Sequence, residues 1–415
     1  MIKVAVVGLG YIGLPTAILL AESGFDVYGY DIDTLKVEKI KQGIAVIEEH
    51  ELGSRLAGVL RSKNFKVSTQ LAVADYYIIA VPTPITHDQK ADLTYVWSAT
   101  DAIANVITKD SCVIVESTVP VGVTNQVANY LSKATGFTLG QNLFVAFSPE
   151  RVIPGKIFME LAHNERLIGG VESESSKVAT KLYAKFVKGA ISQTQASTAE
   201  MVKLVENSSR DVQIAFANQV ASMAEAAHIN PLEVIALANK HPRVKILTPG
   251  CGVGGHCIAV DPWFLIENFP QQSKLLQAAR QVNDSKPFEV LANIAKKVGE
   301  LQVKLNKNNI KLCVLGVTYK PDVDDLRNSP ALFIAQELQK WPNIDLTIIE
   351  PCADLNLLQK YFTSVTNHVS NLLDLPDLTI ALVAHTNFKD SFVAKDMLDF
   401  CAISNTGQFL AKESL

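Results

Sequence analysis

The segment from Pro249 to Phe264, PGCGVGGHCIAVDPWF, gathers four glycines, His256, Cys251, Cys257 and Asp261. Glycine lets a loop's backbone approach a ligand closely. A thiol on such a loop, ahead of an apolar run, has the setting of a nucleophile held at a pocket wall. The competing reading of Cys257 is a small buried hydrophobe beside a turn. Cys251, His256 and Cys257 fit no common zinc spacing, so no metal is expected. A second constellation lies upstream, where Lys203, Asn207, Arg210 and Asp211 are three or four residues apart and share one helix face. An ammonium and an amide on that face are suited to donate to a developing oxyanion. The competing reading is a solvated polar face.

A third signature opens the chain. Ile2–Val7 is a short apolar strand, Gly8-Leu9-Gly10-Tyr11-Ile12-Gly13 supplies GxGxxG, and Leu14–Ser23 has helical character. A second strand, Asp26–Tyr30, ends on Asp31. In this setting Gly8 makes the tight turn, Gly10 admits a pyrophosphate, and Gly13 lets helix and strand pack closely. The helix N-terminus presents partial positive charge to phosphate. Asp31 falls where a carboxylate accepts from the adenosine ribose hydroxyls, and its charge disfavours a 2′-phosphate. NAD is therefore expected over NADP.

The elements that must position these groups alternate strand and helix. Strands at Tyr76–Val81, Ser111–Glu116 and Phe144–Phe147 place Thr83, Thr118 and Glu150 just past their C-termini, where open parallel sheets bind ligands. Turn chemistry is the competing account of each. Ser197-Thr198-Ala199-Glu200 matches a capping box, predicting a helix from there to about His228 that is long enough to be a dimer spine. His241 and Arg243 follow, the guanidinium being suited to phosphate or carboxylate. Leu275–Asn283 and Pro287–Leu301 are expected as helices separated by a break at Lys286-Pro287. Past a polar boundary at Lys304–Lys311, strands at Ile310–Leu315, Leu346–Glu350 and Leu378–Val383, with a helix at Ala331–Gln339, describe a second α/β domain. Lys320 and Arg327 follow its first strand, at the end where a phosphorylated ligand would sit.

At 415 residues, 48% hydrophobic and 19% charged with net charge −4, the chain is expected to fold into two or three domains. No Lys/Arg block suggests nucleic acid or anionic membrane as a partner. The six scattered cysteines give no CxxC and favour a reducing cytoplasm. Val4–Ala21 has no charge, but its glycines and proline favour strand, turn and helix over a membrane anchor.

In order along the chain, VGLGYIGLPTA, IAVPTP, VESTVPVG, SPERVIPG, AEMVKLVENSSRDVQIAFAN, NKHPRVKILTPG, GVGGHCIAVDPWF and YKPDVDDLRNSP resemble the nucleotide-sugar dehydrogenases of the UDP-glucose/GDP-mannose family. The resemblance implies two Rossmann-like, doubly wound α/β domains joined by a central helical dimerisation region. The corresponding boundaries are 1–192 for NAD, 193–300 for the centre with the cysteine loop, and 301–415 for the UDP-sugar. It implies that Tyr11, Ile12, Asp31, Thr83, Thr118 and Arg327 contact NAD. It further implies that Glu150, Arg151, Val152, Lys203, Asn207, Arg210, His241, Arg243, Gly254, Tyr319 and Lys320 surround the substrate, with Arg243 able to reach in from a partner subunit. The chain most resembles the branch acting on UDP-N-acetyl-D-mannosamine, and the HCIAVDPWF wording is similar to that of the N-acetylhexosamine members rather than the UDP-glucose ones; UDP-glucose, UDP-N-acetylglucosamine and UDP-N-acetylgalactosamine are the alternatives. The implied chemistry is a four-electron oxidation through a Cys257 thiohemiacetal and thioester, feeding surface polysaccharide synthesis. Lys203 and Asn207 would stabilise oxyanions, and Thr118, Glu150 and Asp261 would order water and protons. Cys251 stands where this family often has proline. A one-step β-hydroxyacid dehydrogenase is disfavoured by Cys257 and the second α/β domain. A non-catalytic sensor is disfavoured by the joint presence of Lys203, Asn207 and Cys257.

Overall fold

The computed structural model describes residues 1–403 except 48, 154, 369–375 and 389–395. The chain forms two compact units, Met1–Glu206 with Trp263–Phe269, and Asn207–Pro262 with Pro270–Leu415. The first unit runs β1 (Lys3–Val7), α1 (Gly13–Glu22), β2 (Asp26–Tyr30), α2 (Thr34–Lys41), α3 (Leu52–Arg61), β3 (Phe65–Ser68) and β4 (Tyr76–Ile79). It continues through α4 (Thr94–Ala104), β5 (Ser111–Val115), α5 (Val123–Thr135), β6 (Leu143–Phe147), α6 (Ile157–His163), β7 (Arg166–Gly170), α7 (Ser173–Tyr183) and β8 (Ile191–Gln195). The sheet order is β3-β2-β1-β4-β5-β6-β7-β8, parallel except where β6 meets β7.

A parallel sheet is covered on both faces, so its central strands carry near-continuous apolar runs. KVAVV in β1 and SCVIV in β5 meet that demand. The pleat then sorts them. Val4 and Val6 join one core with Leu14, Ile18 and Leu56, while Ala5 and Val7 join another with Val96, Ile103 and Val127. The strand order reverses between β1 and β4, and the crevice past their C-termini is the place this topology offers a ligand.

Helix α8 (Ala196–Ala226) contains the boundary between the units. The second unit continues with α9 (Pro231–Ala238), and α10 (Asp261–Asn268) spans Pro262 and Trp263, where the chain passes back. Then come α11 (Lys274–Leu305), β9 (Ile310–Leu315), α12 (Pro330–Leu338), β10 (Ile344–Ile349), α13 (Leu355–Leu358), β11 (Val365–Thr366), β12 (Leu378–Ala381) and β13 (Met397–Asp399). Its sheet, β11-β10-β9-β12-β13, is wholly parallel and reverses order between β9 and β12. Both sheets bear out the doubly wound α/β expectation. Among the described residues, no helix is long and apolar enough to cross a membrane.

Two local expectations fail. Glu200 does not close a capping box: α8 already begins at Ala196, and the buried Glu200 carboxylate accepts from the Gly122 and Thr124 amides at 2.6 and 2.8 Å. It thereby satisfies amide groups at the start of α5, a tertiary use that outranks local reciprocity. Burial raises the Glu200 pKa, and these hydrogen bonds act in the opposite direction. The break at Lys286-Pro287 is also absent, since α11 runs unbroken through Pro287. Packing compensates for the lost backbone bond. Asn283, one turn earlier, donates to the Asp211 carboxylate at 2.8 Å, and Lys286 Nζ donates to Ser222 Oγ at 2.9 Å, pinning this stretch of α11 to α8.

Candidate active site

In the first unit, the glycine turn has the geometry a dinucleotide needs. A Cβ on Gly13 would lie 1.9 Å from the Gly8 carbonyl oxygen, so only glycine permits that approach. Around Gly10, by contrast, a Cβ would meet nothing within 4 Å. No side chain caps the N-terminus of α1 at Ile12. Asp31 closes β2 with both carboxylate oxygens engaged: Oδ2 accepts from the Leu9 amide at 2.9 Å and from Lys36 Nζ at 2.8 Å, and Oδ1 accepts from the Asp33 amide at 3.0 Å. The carboxylate is thus fixed beside the glycine turn. This donor and acceptor set fits NAD, and Gly8, Gly10, Tyr11, Ile12, Gly13 and Asp31 are the residues that could hold it. Asp31→Ser is expected to weaken NAD binding by roughly 10-fold, the value of a charge-assisted hydrogen bond, and to narrow the preference over NADP. Fluorescence titration reads both, and unchanged affinity would remove Asp31 from the cofactor site.

Beside this turn, the ends of β4 and β5 are tied by Ser117, a residue with no sequence signal of its own. Its Oγ accepts from the Val81 amide at 2.9 Å and donates to the Val81 carbonyl at 2.7 Å. That clamp sets the backbone that carries Thr83 and Thr118, both only partly exposed.

Glu150 follows β6 and is buried. Its Oε1 accepts from the Arg151 amide at 2.6 Å and its Oε2 from Arg166 Nη1 at 3.2 Å, while its backbone carbonyl accepts from Lys203 Nζ at 2.6 Å. Glu150 and Lys203, the candidate oxyanion donor, are therefore brought together. Arg151 is forked onto Glu206, and Val152 is partly buried beside it in sequence.

Arg166 was not singled out by sequence, yet it organises this corner. Fully buried, it also pairs with Glu116 and donates to Ser148 Oγ at 2.9 Å, and its guanidinium carbon lies 4.4 Å from the centre of the Tyr183 ring. Burial opposes its charge, but Glu116, Tyr183 and Glu150 outweigh burial and hold its pKa above the ordinary arginine value. The readable signal was an arginine opening the apolar strand RLIGG, which requires acidic partners once buried.

In the second unit, the cysteine loop is built against the Tyr319–Asn328 loop. The Gly255 amide donates to the Arg327 carbonyl at 3.0 Å, Asn328 Nδ2 donates to the Gly255 carbonyl at 3.2 Å, and the Tyr319 amide donates to the Asp325 carbonyl at 3.0 Å. Gly255 has φ +81°, and a Cβ there would lie 2.8 Å from the Tyr319 ring. Gly254 packs equally closely against the Asn328 carbonyl. Cys257, partly exposed, accepts at its backbone carbonyl from the Val260 and Asp261 amides at 3.0 and 2.8 Å. Asn207 Nδ2 donates to Asp261 Oδ2 at 2.5 Å, so the helix amide and the loop carboxylate meet. His256, set aside by sequence, places Nδ1 2.8 Å from Cys257 Sγ. Cys251 is buried, faces the Leu382 carbonyl at 3.7 Å, and burial pushes its thiol up to about 12.

Not every expected residue joins these groups. Asp211 shares no face with a pocket: fully buried, it accepts from Arg280 Nη1 at 2.7 Å and from Asn283, locking α8 to α11. Arg210, His241 and Arg243 are exposed. The loop carrying His241 and Arg243 is closed by Asn239, which bonds both the amide and the carbonyl of Ile246. Lys320 Nζ sits 5.5 Å above the Tyr319 ring, while Arg327 is forked onto Asp325.

One trio among the described residues, Asp322, Cys352 and His385, has metal-ligand chemistry. Its members are bonded to one another and to neighbours. His385 Nδ1 accepts from the Asp322 amide at 3.0 Å, and the Asp322 carboxylate accepts from the Thr386 amide and hydroxyl at 2.9 and 2.7 Å. The trio acts as a latch among the loops that follow β9, β10 and β12.

Residues 2–187, 197–285 and 313–405 match, in order, the NAD binding, central and UDP binding domains of the UDP-glucose/GDP-mannose dehydrogenase family. The UDP-N-acetyl-D-mannosamine dehydrogenase of Escherichia coli K12 is 41% identical over 397 residues, covering 93% of this chain and 94% of its own. The enzyme of that name from Methanocaldococcus jannaschii is 42% identical over 394 residues, covering 94% and 87%. The solved UDP-D-ManNAc dehydrogenase of Pyrococcus horikoshii superposes with a TM-score of 0.87 at 39% identity, covering 98% of this chain and 96% of that one. A glycine turn built for a dinucleotide, a pinned cysteine loop and three matched domains converge: the chain belongs to the UDP-glucose/GDP-mannose dehydrogenase family and is an NAD-dependent oxidoreductase of nucleotide sugars.

Proposed function

We propose that this enzyme oxidises the C6 alcohol of UDP-N-acetyl-D-mannosamine to the carboxylate of UDP-N-acetyl-D-mannosaminuronate, supplying a surface-polysaccharide precursor in the cytoplasm. The observation that carries the choice of sugar is the near full-length similarity, at about two-fifths identity, to dehydrogenases named for it. Alcohol to acid removes four electrons, hence two hydrides. NAD, when bound, supplies the hydride acceptor for each oxidation.

The residues divide the remaining work. Cys257 Sγ adds to the C6 aldehyde, giving a thiohemiacetal and, after the second oxidation, a thioester. Lys203 and Asn207, one turn apart on α8, serve as donors to the oxyanions. Their resting partners, the Glu150 carbonyl and the Asp261 carboxylate, already hold them in place. Glu150, with Arg166 on one oxygen, is an acceptor that orders water. Asp261 and Thr118 complete the path of water and protons in thioester hydrolysis. Arg151, Val152, Arg210, His241, Arg243, Gly254, Tyr319 and Lys320 are assigned to the nucleotide sugar, and Thr83 and Arg327 to NAD.

A panel of UDP-sugars with NAD tests the substrate. UDP-N-acetyl-D-mannosamine is expected to give the highest kcat/KM, by about 10-fold or more over its epimers, because a hydroxyl placed against unmatched polar groups is costly. A higher value for UDP-glucose or UDP-N-acetylglucosamine would overturn the assignment.

A homodimer is part of the same proposal. Large apolar side chains lie exposed at Phe216 and Met223 on α8, Leu237 on α9 and Phe288 on α11, more than a solvated helical region accounts for. Phe216→Glu with Met223→Glu is expected to halve the mass seen by analytical ultracentrifugation, and an unaltered dimer would place the interface elsewhere.

A further inference from the structure

We infer that His256 is the base that activates Cys257, forming a thiolate–imidazolium pair before substrate is attacked. This deepens the proposed chemistry and rests on Cys257 being its nucleophile. Nδ1 of His256 lies 2.8 Å from Cys257 Sγ, within reach for direct proton transfer. The two residues are adjacent in sequence. The loop that carries them is fixed on the Tyr319–Asn328 loop through Gly255, whose amide and carbonyl are both bonded there. The imidazole itself is exposed, so its protonated form keeps its hydration.

The surrounding charges favour the ion pair. The Asp325 carboxylate is close enough to His256 for each to stabilise the other's charge, and the Arg327 guanidinium forked onto Asp325 likewise stabilises a Cys257 thiolate. A nucleophile, a base in contact with it and a carboxylate near the base form an arrangement by which enzymes activate thiols. Three neighbouring groups have shifts with identifiable causes. Burial and Asp325 raise the Tyr319 phenol to about 12. Burial would raise Asp325, but its bonds to Arg327 hold it below the ordinary carboxylate range. The fork with Asp325 keeps Arg327 above its ordinary value. Asp261, four residues on, is a carboxylate hydrogen-bonded by Asn207.

The step balances without a co-reactant. The Sγ–H bond breaks, its electron pair stays on sulfur, and the proton moves to Nδ1. Sulfur then forms the C–S bond as the aldehyde π pair moves to oxygen. Nothing is oxidised at this stage.

Alkylation of Cys257 by iodoacetamide, followed by peptide mass spectrometry across pH 5–10 without NAD or sugar, reads the thiolate directly. For the native enzyme, the rate is expected to rise at a pH below the ordinary thiol value of about 8.5. For His256→Gln, the rise should move upward by about one pH unit and the rate at pH 7 should fall roughly 10-fold. An unchanged far-UV circular dichroism spectrum and urea midpoint confirm that the variant is folded. His256→Asn, also unable to titrate, should match His256→Gln, whereas imidazole added to either should restore part of the rate. Superimposable native and variant profiles would overturn the inference. This readout involves no turnover, so it is separable from failure of the thioester chemistry, which leaves alkylation unchanged and shows only in activity.

Discussion

Cys257→Ala is expected to lower turnover by about 10³-fold or more, the scale on which removal of a covalent nucleophile is felt, while NAD affinity stays at the native value. The two halves of this result come from different parts of the chain. The glycine turn and Asp31 belong to the first unit, whereas Cys257 is held by Gly255, Tyr319 and Arg327 in the second. Cys257→Ser preserves the volume and separates nucleophilicity from packing. Steady-state kinetics alongside NAD titration provide the check, and turnover within tenfold of native for both variants would remove Cys257 from the chemistry.

Arg166→Met is expected to cost the first unit about 3–5 kcal/mol, because breaking a buried ion pair leaves uncompensated charge. Two carboxylates lose their cation at once: Glu116, fully buried and also bonded by Tyr183 OH at 2.6 Å, and Glu150. Adding Glu116→Gln should recover part of the loss, the signature of coupled sites. Urea denaturation monitored on the first unit measures both. A loss below about 1 kcal/mol would mean that the corner tolerates bare carboxylates, contrary to the usual cost of buried unpaired charge. A residual fold with displaced Glu150 should also lose activity, since the carbonyl of Glu150 holds Lys203.

Much of this molecule was legible in its sequence, and the reasons are local. GLGYIG and Asp31 state backbone requirements that few other chemistries impose, and the structure shows Gly13 pressed onto Gly8 with Asp31 bonded to the Leu9 amide beside it. Cys257 stood out because glycines surround it. Strand ends, and with them Thr83, Thr118 and Glu150, followed from apolar runs that end in turn residues. What the sequence did not disclose depended on partners far along the chain. Glu200 resembled the end of a local capping box, yet its oxygens serve α5. Pro287 suggested a break that contacts from Asn283 and Lys286 remove. Asp211 looked like part of a polar face because its buried partner, Arg280, is distant in sequence. His256 is the exception, since the thiol it contacts belongs to the next residue; the zinc spacing speaks only to a metal role.

In the proposed mechanism the alcohol is carried through to the acid without release of the aldehyde. The most direct measurement is NADH formed per UDP-sugar consumed, with an aldehyde-trapping amine present. A ratio of about two and no trapped aldehyde are expected, because a thiohemiacetal on Cys257 would retain the intermediate. A ratio of about one, or capture of the free aldehyde, would contradict it.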